Sequence, residues 1–170
     1  MFFKIRAFLI TLRRIDWCSL ILNLLLSLGT GALASFLVPG MGAAYAKMYK
    51  PPLAPPGWVF PVVWTILYIL MGIAAYLVSG QKEASPKAVE SAVSYYVLQL
   101  LVNLLWPILF FRLELYFTAF FWLFLLWYLV WMTWKKFSGL NAYAGKLLVP
   151  YLVWLAYAGY LNLAIAIAMQ

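Results

Sequence analysis

Five long apolar stretches set the limits on what this chain can fold into. They cover residues 17–38, 57–79, 92–111, 115–134 and 147–169. Each has about the 20 residues that an α-helix needs to cross the hydrocarbon core of a bilayer. A helix suits that environment because it satisfies its backbone hydrogen bonds within one segment. The pattern therefore predicts an all-α integral membrane protein, a bundle of five transmembrane helices in a single domain, residues 1–170.

The composition supports this prediction and argues against nucleic acid as a partner. Hydrophobic residues make up 68% of the chain and charged residues 9%, whereas about a quarter of the residues in a soluble domain are charged. The net charge is +8, but the basic residues stand in short clusters between the apolar runs. The lipid bilayer is therefore the expected partner, and the basic residues indicate orientation.

The distribution of Lys and Arg predicts which side of the membrane each loop occupies. Three of them, Lys47, Lys50 and Arg112, lie on one side of the predicted bundle. The N-terminal side has nine: Lys4, Arg6, Arg13, Arg14, Lys82, Lys87, Lys135, Lys136 and Lys146. Because cytoplasmic loops are enriched in basic residues, we expect a cytoplasmic N-terminus in a bacterial inner membrane. The C-terminus and the loop 39–56 then face outward.

The first apolar run has two features with alternative interpretations. Residues 1–14 and the sequence at 32–34 resemble a signal peptide with its cleavage site. The run is longer than a typical signal core, which favours an uncleaved first span. Ser27, Gly31 and Ser35 recur every four residues and form a stripe of small side chains. Such a stripe allows close packing within the bundle or, alternatively, a homodimer contact.

The loop before the second span is expected to form a rigid lid, residues 39–56. It contains Pro51, Pro52, Pro55 and Pro56, which fix φ and cannot donate backbone hydrogen bonds. In the helix that follows, Trp64, Tyr68 and Met71 share one face that begins under the loop. A rigid lid over an aromatic face predicts a pocket for a flat, apolar molecule. Trp58 has a simpler alternative interpretation as an interfacial belt residue.

The third span carries a second inward stripe. It consists of Gln99, Asn103, Trp106 and Phe110. Amide side chains are costly in lipid unless they find partners, so this face should point into the bundle. The amides are then either hydrogen-bond donors to neighbouring helices or ligand contacts. Pro107 is expected to bend the helix.

The last two spans differ in how their aromatic residues are arranged. In the fourth span aromatic side chains lie on every side, Trp122 among them, which is typical of lipid contact. A basic loop, 135–146, is expected to follow. In the fifth span the inward stripe consists of Tyr151, Trp154, Ala158 and Asn162. Ala158 beside a tryptophan either makes a slot for a ring or packs against another helix.

The residues needed for metal binding or acid–base catalysis are scarce. The chain has no histidine, and its four acidic residues lie at or beyond the ends of the predicted spans: Asp16, Glu83, Glu90 and Glu114. No metal site is expected, and general acid–base chemistry lacks its usual groups. Cys18 is the single cysteine, so no intrachain disulfide can form.

An ordered set of residues resembles the TspO/translocator protein family, also called tryptophan-rich sensory proteins or peripheral-type benzodiazepine receptors. The set consists of Tyr45, Lys50-Pro51, Pro55-Pro56, Phe60-Pro61, Trp64-Thr65, Leu67-Tyr68, Met71-Gly72, Gln99-Leu100, Asn103, Trp106, Phe110-Phe111, Pro150-Tyr151, Trp154, Ala158 and Leu161-Asn162. The resemblance implies a five-helix bundle, often dimeric, that binds porphyrins and, in some relatives, sterols and aromatic drugs. Relatives usually carry tryptophan where this chain has Ala44 and Leu53, so the lid is less aromatic than the family pattern.

The resemblance gives the first hypothesis, a receptor-like protein that binds protoporphyrin IX or haem and modulates tetrapyrrole handling or stress signalling. No cofactor is required. The expected ligand-binding residues are Tyr45, Lys50, Pro51, Trp64, Tyr68, Gln99, Asn103, Trp106, Phe110, Tyr151, Trp154 and Ala158.

Two further functions stay open. One is light- and oxygen-dependent porphyrin degradation, for which Trp64 and Trp154 match the residues implicated in relatives. The other is transport of tetrapyrroles or sterols. The inward stripes predict that Trp64 and Trp154 form opposing walls of one site between the second, third and fifth spans. Lys47 and Lys50 would then meet the porphyrin propionates.

Overall fold

A computed structural model describes residues 15–81 and 84–169. The helices are α1 (Trp17–Leu37), α2 (Met41–Lys47), α3 (Val59–Ser79), α4 (Pro86–Pro107), α5 (Tyr116–Leu140) and α6 (Ala142–Ala168). All except α2 are long and apolar enough to cross a membrane, which makes five candidate spans in the described residues. The predicted all-α membrane bundle is therefore confirmed. The expected signal-like segment 1–14 and Lys82 lie outside the described residues.

The third span differs from its predicted bounds at both ends. It begins at Pro86, six residues earlier than the apolar run, with proline in the first turn. Proline is tolerated there because a first-turn N–H has no intrahelical partner. At its other end Pro107 is followed by a π-helical turn, Ile108–Arg112. This turn is the local distortion that a proline was expected to introduce.

The connection between α5 and α6 is shorter than predicted. The prediction of a basic loop at 135–146 is wrong, because α5 continues to Leu140 and α6 begins at Ala142. Asn141 alone separates them. Its side-chain oxygen accepts hydrogen bonds from the backbone N–H groups of Tyr143 and Ala144, at 2.9 and 3.1 Å. The lysine side chains lie over aromatic rings, with Lys135 above Trp131 and Lys136 above Tyr95. Long basic side chains can reach the membrane surface from within a helix, so hydropathy alone ended α5 too early.

Small residues bring α1 and α3 into close contact. A Cβ atom at Gly72 would lie 2.8 Å from the Ser27 hydroxyl oxygen and 3.0 Å from the backbone of Leu24. At Gly31 a Cβ would lie 2.4 Å from the Tyr68 ring. The small-residue stripe of α1 therefore packs within the bundle, the first of its two predicted uses.

Two tryptophans of α5 face other helices, which corrects the expectation that its aromatic residues all contact lipid. The indole N–H of Trp122 donates to the carbonyl of Val102 at 2.7 Å, and that of Trp127 donates to the carbonyl of Leu152 at 3.2 Å. Phe121 is exposed, as the lipid-contact interpretation predicts. Since buried indole N–H groups need acceptors, α5 contributes hydrogen bonds between helices as well as apolar surface.

Candidate functional site

An aromatic cavity of about 280 Å³ lies beneath the proline-rich loop, between α1, α2, α3 and α4. Its walls combine small residues of α1 with aromatic residues of α3 and α4. The lining residues are Gly31, Ala34, Ser35, Met41, Gly42, Tyr45, Gly57, Phe60, Pro61, Trp64, Tyr68, Asn103, Trp106, Pro107 and Phe111. The cavity is the feature of the fold best suited to an apolar ligand.

Stacked and tilted rings hold the aromatic walls in place. The rings of Trp64 and Tyr68 are tilted with their centroids 5.6 Å apart. On α4, Trp106 stacks on Phe110 with a centroid separation of 5.0 Å and an interplanar angle of 21°. Phe110 is buried behind Trp106, contacts Tyr116, and is not among the lining residues. These contacts leave the faces and edges of Trp64 and Trp106 positioned for a planar ligand.

A buried polar network fixes the one amide that reaches the cavity. The side-chain amide of Asn103 donates to the Tyr151 hydroxyl at 2.9 Å, and that hydroxyl donates to Oε1 of Gln99 at 3.3 Å. Gln99 in turn donates to Sδ of Met71 at 3.6 Å. The expectation that both amides face the bundle interior is confirmed, since Gln99 is 1% exposed and Asn103 3%. Gln99 serves α4–α6 packing, whereas Asn103 also lines the cavity.

A second polar contact positions Trp106. Its indole N–H donates to Oδ1 of Asn162 at 3.2 Å, and the amide of Asn162 donates to the carbonyl of Tyr116 at 2.8 Å. One side chain of α6 therefore connects α4 to the start of α5. Because the Trp106 indole N–H is already bonded, this residue offers the cavity its ring rather than a hydrogen-bond donor.

The lid is held from below by Tyr45 and Lys50. The Tyr45 hydroxyl donates to the carbonyl of Pro55 at 2.9 Å, and its ring packs edge-on against Phe60. Burial, and then the neighbouring Tyr157 hydroxyl, raise the pKa of Tyr45. Nζ of Lys50 bonds to the carbonyls of Tyr45 and Met48 and lies 4.0 Å from the centre of the Tyr45 ring. Lys50 therefore caps the end of α2.

Two tyrosines of α6 hold the tip of the same loop. The Tyr157 hydroxyl donates to the carbonyl of Leu53 at 2.6 Å, and the Tyr160 hydroxyl donates to the carbonyl of Pro52 at 2.9 Å. Leu53 has a φ of 66°, a left-handed conformation that is unfavourable for a branched side chain. The α6 hydroxyls therefore stabilise a strained loop tip and tie the proline-rich loop to α6.

The residues predicted on α6 lie outside the cavity, so the expectation that Trp64 and Trp154 form opposing walls is wrong for this cavity. Tyr151 is 1% exposed and fills the space behind Trp64, with ring centroids 5.9 Å apart. Trp154 packs against Phe60 and Tyr157 instead. Ala158 is buried. The inward stripe of α6 is used for core packing because α3 and α6 lie in direct contact.

Pro51 and Lys50 also lie outside the set of lining residues. Pro51 is buried in the lid, and Lys50 is exposed. The predicted residues that do meet in one place are therefore Tyr45, Trp64, Tyr68, Asn103 and Trp106.

The wall from α1 and α2 was not among the predicted site residues. Gly31, Ala34 and Ser35 form it together with Met41 and Gly42. Small residues carry no reactive group that would mark them as site residues. The stripe Ser27, Gly31 and Ser35 was nevertheless a usable signal for this wall, since Gly31 and Ser35 both line the cavity. A stripe of small side chains opposite a long aromatic face lets the two helices approach closely, so that the stripe becomes one wall of any cavity beside their contact.

The site contains no cluster of metal ligands. Within residues 15–81 and 84–169, no group of three or more His, Cys, Asp or Glu side chains is arranged to hold a metal ion. One buried indole N–H near the lid, that of Trp154, has no acceptor there. The lining is suited to bind a planar apolar molecule through its rings, with the Asn103 amide as the buried polar contact.

Taken together, the five spans and the cavity under the proline-rich loop define a multi-pass membrane protein with an aromatic pocket closed by a lid. Residues 21–168 match the TspO/MBR family. The chain is 38% identical to protein CrtK of Rhodobacter capsulatus over 135 residues, 79% of this chain and 82% of that protein.

Two further relatives extend this similarity. A tryptophan-rich sensory protein of Cereibacter sphaeroides is 38% identical over 147 residues, 86% of this chain and 89% of that protein. The translocator protein of Bos taurus is 36% identical over 141 residues, 82% of this chain and 83% of that protein. The chain belongs to the TspO/MBR family.

Proposed function

We propose that this protein is a receptor-like membrane protein that binds a porphyrin, protoporphyrin IX or haem, in the cavity between α1, α3 and α4. Binding would modulate tetrapyrrole handling or stress signalling. The observation that carries the proposal is the lining of the cavity, in which Trp64, Tyr68 and Trp106 face a wall of small residues. Rings on one side and small side chains on the other suit a wide, flat, apolar macrocycle.

The size of the cavity bears on how a porphyrin would enter. At about 280 Å³ it is just below the range of roughly 300–1,000 Å³ for pockets that enclose a drug-sized ligand. A porphyrin would therefore bind with the lid lifted, its propionates directed towards the loop. Lys47 is exposed at the end of α2 and is available to a propionate. Lys50 would first have to release the carbonyls of Tyr45 and Met48.

Haem fits this site only without histidine ligation, since the sequence has no histidine. Affinity would come from ring stacking and from charged contacts at the propionates. We therefore expect protoporphyrin IX and haem to bind with similar affinity, because neither gains a metal–histidine bond.

A matched pair of substitutions on α1 tests the proposal. Ala34 lines the cavity and is 6% exposed, whereas Ala32 lies two residues earlier on the exposed face. Ala34→Leu places extra side-chain atoms in the cavity, and Ala32→Leu places the same atoms in lipid. We expect Ala34→Leu to weaken protoporphyrin binding in the dark by at least tenfold, with Ala32→Leu matching wild type.

Porphyrin fluorescence titrations in lipid nanodiscs would measure both affinities. Ser35→Leu, at the exposed rim of the cavity, provides a second blocking variant if Ala34→Leu does not fold. Equal binding by all four proteins would place the porphyrin elsewhere, and no binding by the wild type would refute the proposed function.

Light- and oxygen-dependent porphyrin degradation is the second candidate, favoured by the position of Trp64. Its indole lines the cavity and lies edge-on to Tyr151, so it would contact the bound pigment. Trp154, the other residue considered for this chemistry, lies behind Phe60. If the protein is an enzyme, Trp64→Phe should still bind porphyrin in the dark but should lose light-driven product formation. Trp154→Phe should reduce product formation less.

A further inference from the structure

An open groove of about 650 Å³ lies on the side of the bundle where α1 ends and α4 turns back. Five of its six lining residues have apolar side chains, and the sixth is a cation. The lining residues are Phe36, Leu37, Val38, Pro39, Phe111 and Arg112. The groove is distinct from the aromatic cavity, although Phe111 contributes to both.

Arg112 presents unused hydrogen-bond donors to this groove. Its Nη1 donates to the carbonyl of Leu37 at 3.3 Å, at the C-terminal end of α1, where a cation is favourable. A guanidinium has five N–H donors in a planar fork that matches a phosphate. Arg112 is exposed, and in the described part of the chain the Leu37 carbonyl is its one hydrogen-bond acceptor. Its remaining donors can therefore bind an external oxyanion.

The depth of the groove in the membrane follows from the length of α1. A helix of 21 residues rises about 31 Å, close to the thickness of the hydrocarbon core. The last turn of α1, with Phe36, therefore lies where acyl chains meet headgroups. Phe36 is 80% exposed, which leaves its ring available to lipid.

We propose that this groove is a binding site for an anionic phospholipid. The Arg112 guanidinium binds the headgroup phosphate, and an acyl chain lies along Phe36 and Phe111. The exposed apolar side chains, Phe36 above all, favour a lipid over a free phosphate ion, and the single positive charge favours an anionic headgroup over a zwitterionic one. The site does not depend on porphyrin binding.

Native mass spectrometry of protein released from nanodiscs tests this site. The nanodiscs contain phosphatidylcholine and phosphatidylglycerol in equal amounts, and retained lipid is counted per protein. We expect wild type to retain phosphatidylglycerol preferentially and Arg112→Gln to lose about tenfold or more of that preference, the loss that corresponds to a hydrogen bond made by a charged group. Lys47→Gln removes the same charge from the same side of the bundle but outside the groove, so it controls for non-specific attraction to the anionic surface and should reduce phosphatidylglycerol retention much less than Arg112→Gln.

A second substitution tests the proposed contact between the acyl chain and Phe36. Phe36→Ala removes an exposed ring that has no part in the core, so the variant should fold and still retain less phosphatidylglycerol. Equal retention by wild type and Arg112→Gln, or equal losses in Arg112→Gln and Lys47→Gln, would overturn the proposal. Displacement of the lipid by millimolar inorganic phosphate would also overturn it, because the site would then be a simple anion site.

Discussion

Adding one methyl group at Gly31 should close the cavity from the α1 side. The added Cβ would lie 2.4, 2.8 and 3.2 Å from three atoms of the Tyr68 ring, whereas carbon atoms pack at about 3.5–4.0 Å. The ring must therefore move by about 1 Å. Since Gly31 and Tyr68 both line the cavity, we expect the ring to move into that space. Gly31→Ala should then lower both stability and porphyrin affinity.

The same change at Gly29 supplies the control. A Cβ there would meet nothing within 4 Å, so Gly29→Ala should change stability only through helix propensity, by about 0.5–1 kcal/mol in favour of alanine. Helix propensity cancels when the two variants are compared. The difference in unfolding free energy between the two variants therefore measures the clash at Tyr68, about 1–3 kcal/mol for an overpacked core.

Unfolding in mixed micelles by added SDS would measure stability, and dark titration with protoporphyrin IX would measure affinity. Since the porphyrin would have to push the displaced Tyr68 ring back against the added methyl group, the same clash opposes binding, and we expect Gly31→Ala to bind about 5- to 150-fold more weakly than Gly29→Ala. Indistinguishable stability and affinity for the two variants would refute the reasoning about α1 and Tyr68.

Three further predictions concern the polar network, the lid and the orientation. Asn103→Leu should cost about 0.5–2 kcal/mol of stability, the range for hydrogen bonds between membrane helices, as measured by SDS unfolding; an unchanged midpoint would show that the bond to Tyr151 contributes nothing. Tyr157→Phe combined with Tyr160→Phe should speed porphyrin association in stopped-flow fluorescence, because both substitutions remove a hydrogen bond that holds the loop tip; an unchanged association rate would mean that the lid does not limit entry. A reporter enzyme that is active only in the cytoplasm, fused after Gln170, should be inactive in bacteria, since nine of the twelve basic residues are predicted to lie on the N-terminal side; strong activity would reverse the proposed orientation.

The sequence predicted the helical bundle well because hydrophobic length is a strong signal in a membrane. It also placed Gln99 and Asn103 correctly, since an amide exposed to lipid has no hydrogen-bond partner. Helix ends were less predictable. Lys135 and Lys136 belong to α5, and their side chains lie over aromatic rings, a contact that hydropathy does not register.

The composition of the cavity wall was the least predictable feature. Periodicity shows that Trp154 lies on an inward face, but it does not show which helix that face meets. In the structure Trp154 contacts Phe60 and Trp64 contacts Tyr151. The opposite wall is formed by residues such as Gly31 and Ala34, which contribute by being small enough for the aromatic residues of α3 to pack against α1. That contribution depends on how α1 and α3 cross, which a one-dimensional pattern does not contain.

A structure of the protein bound to protoporphyrin IX, prepared in the dark in lipid nanodiscs, tests the central proposal most directly. We predict density for the macrocycle in contact with Trp64 and Tyr68, bounded by α1 on one side and by Trp106 of α4 on the other, with the loop 39–56 displaced. A macrocycle bound on the lipid-facing surface, or between α3 and α6 with the cavity unchanged, would contradict it.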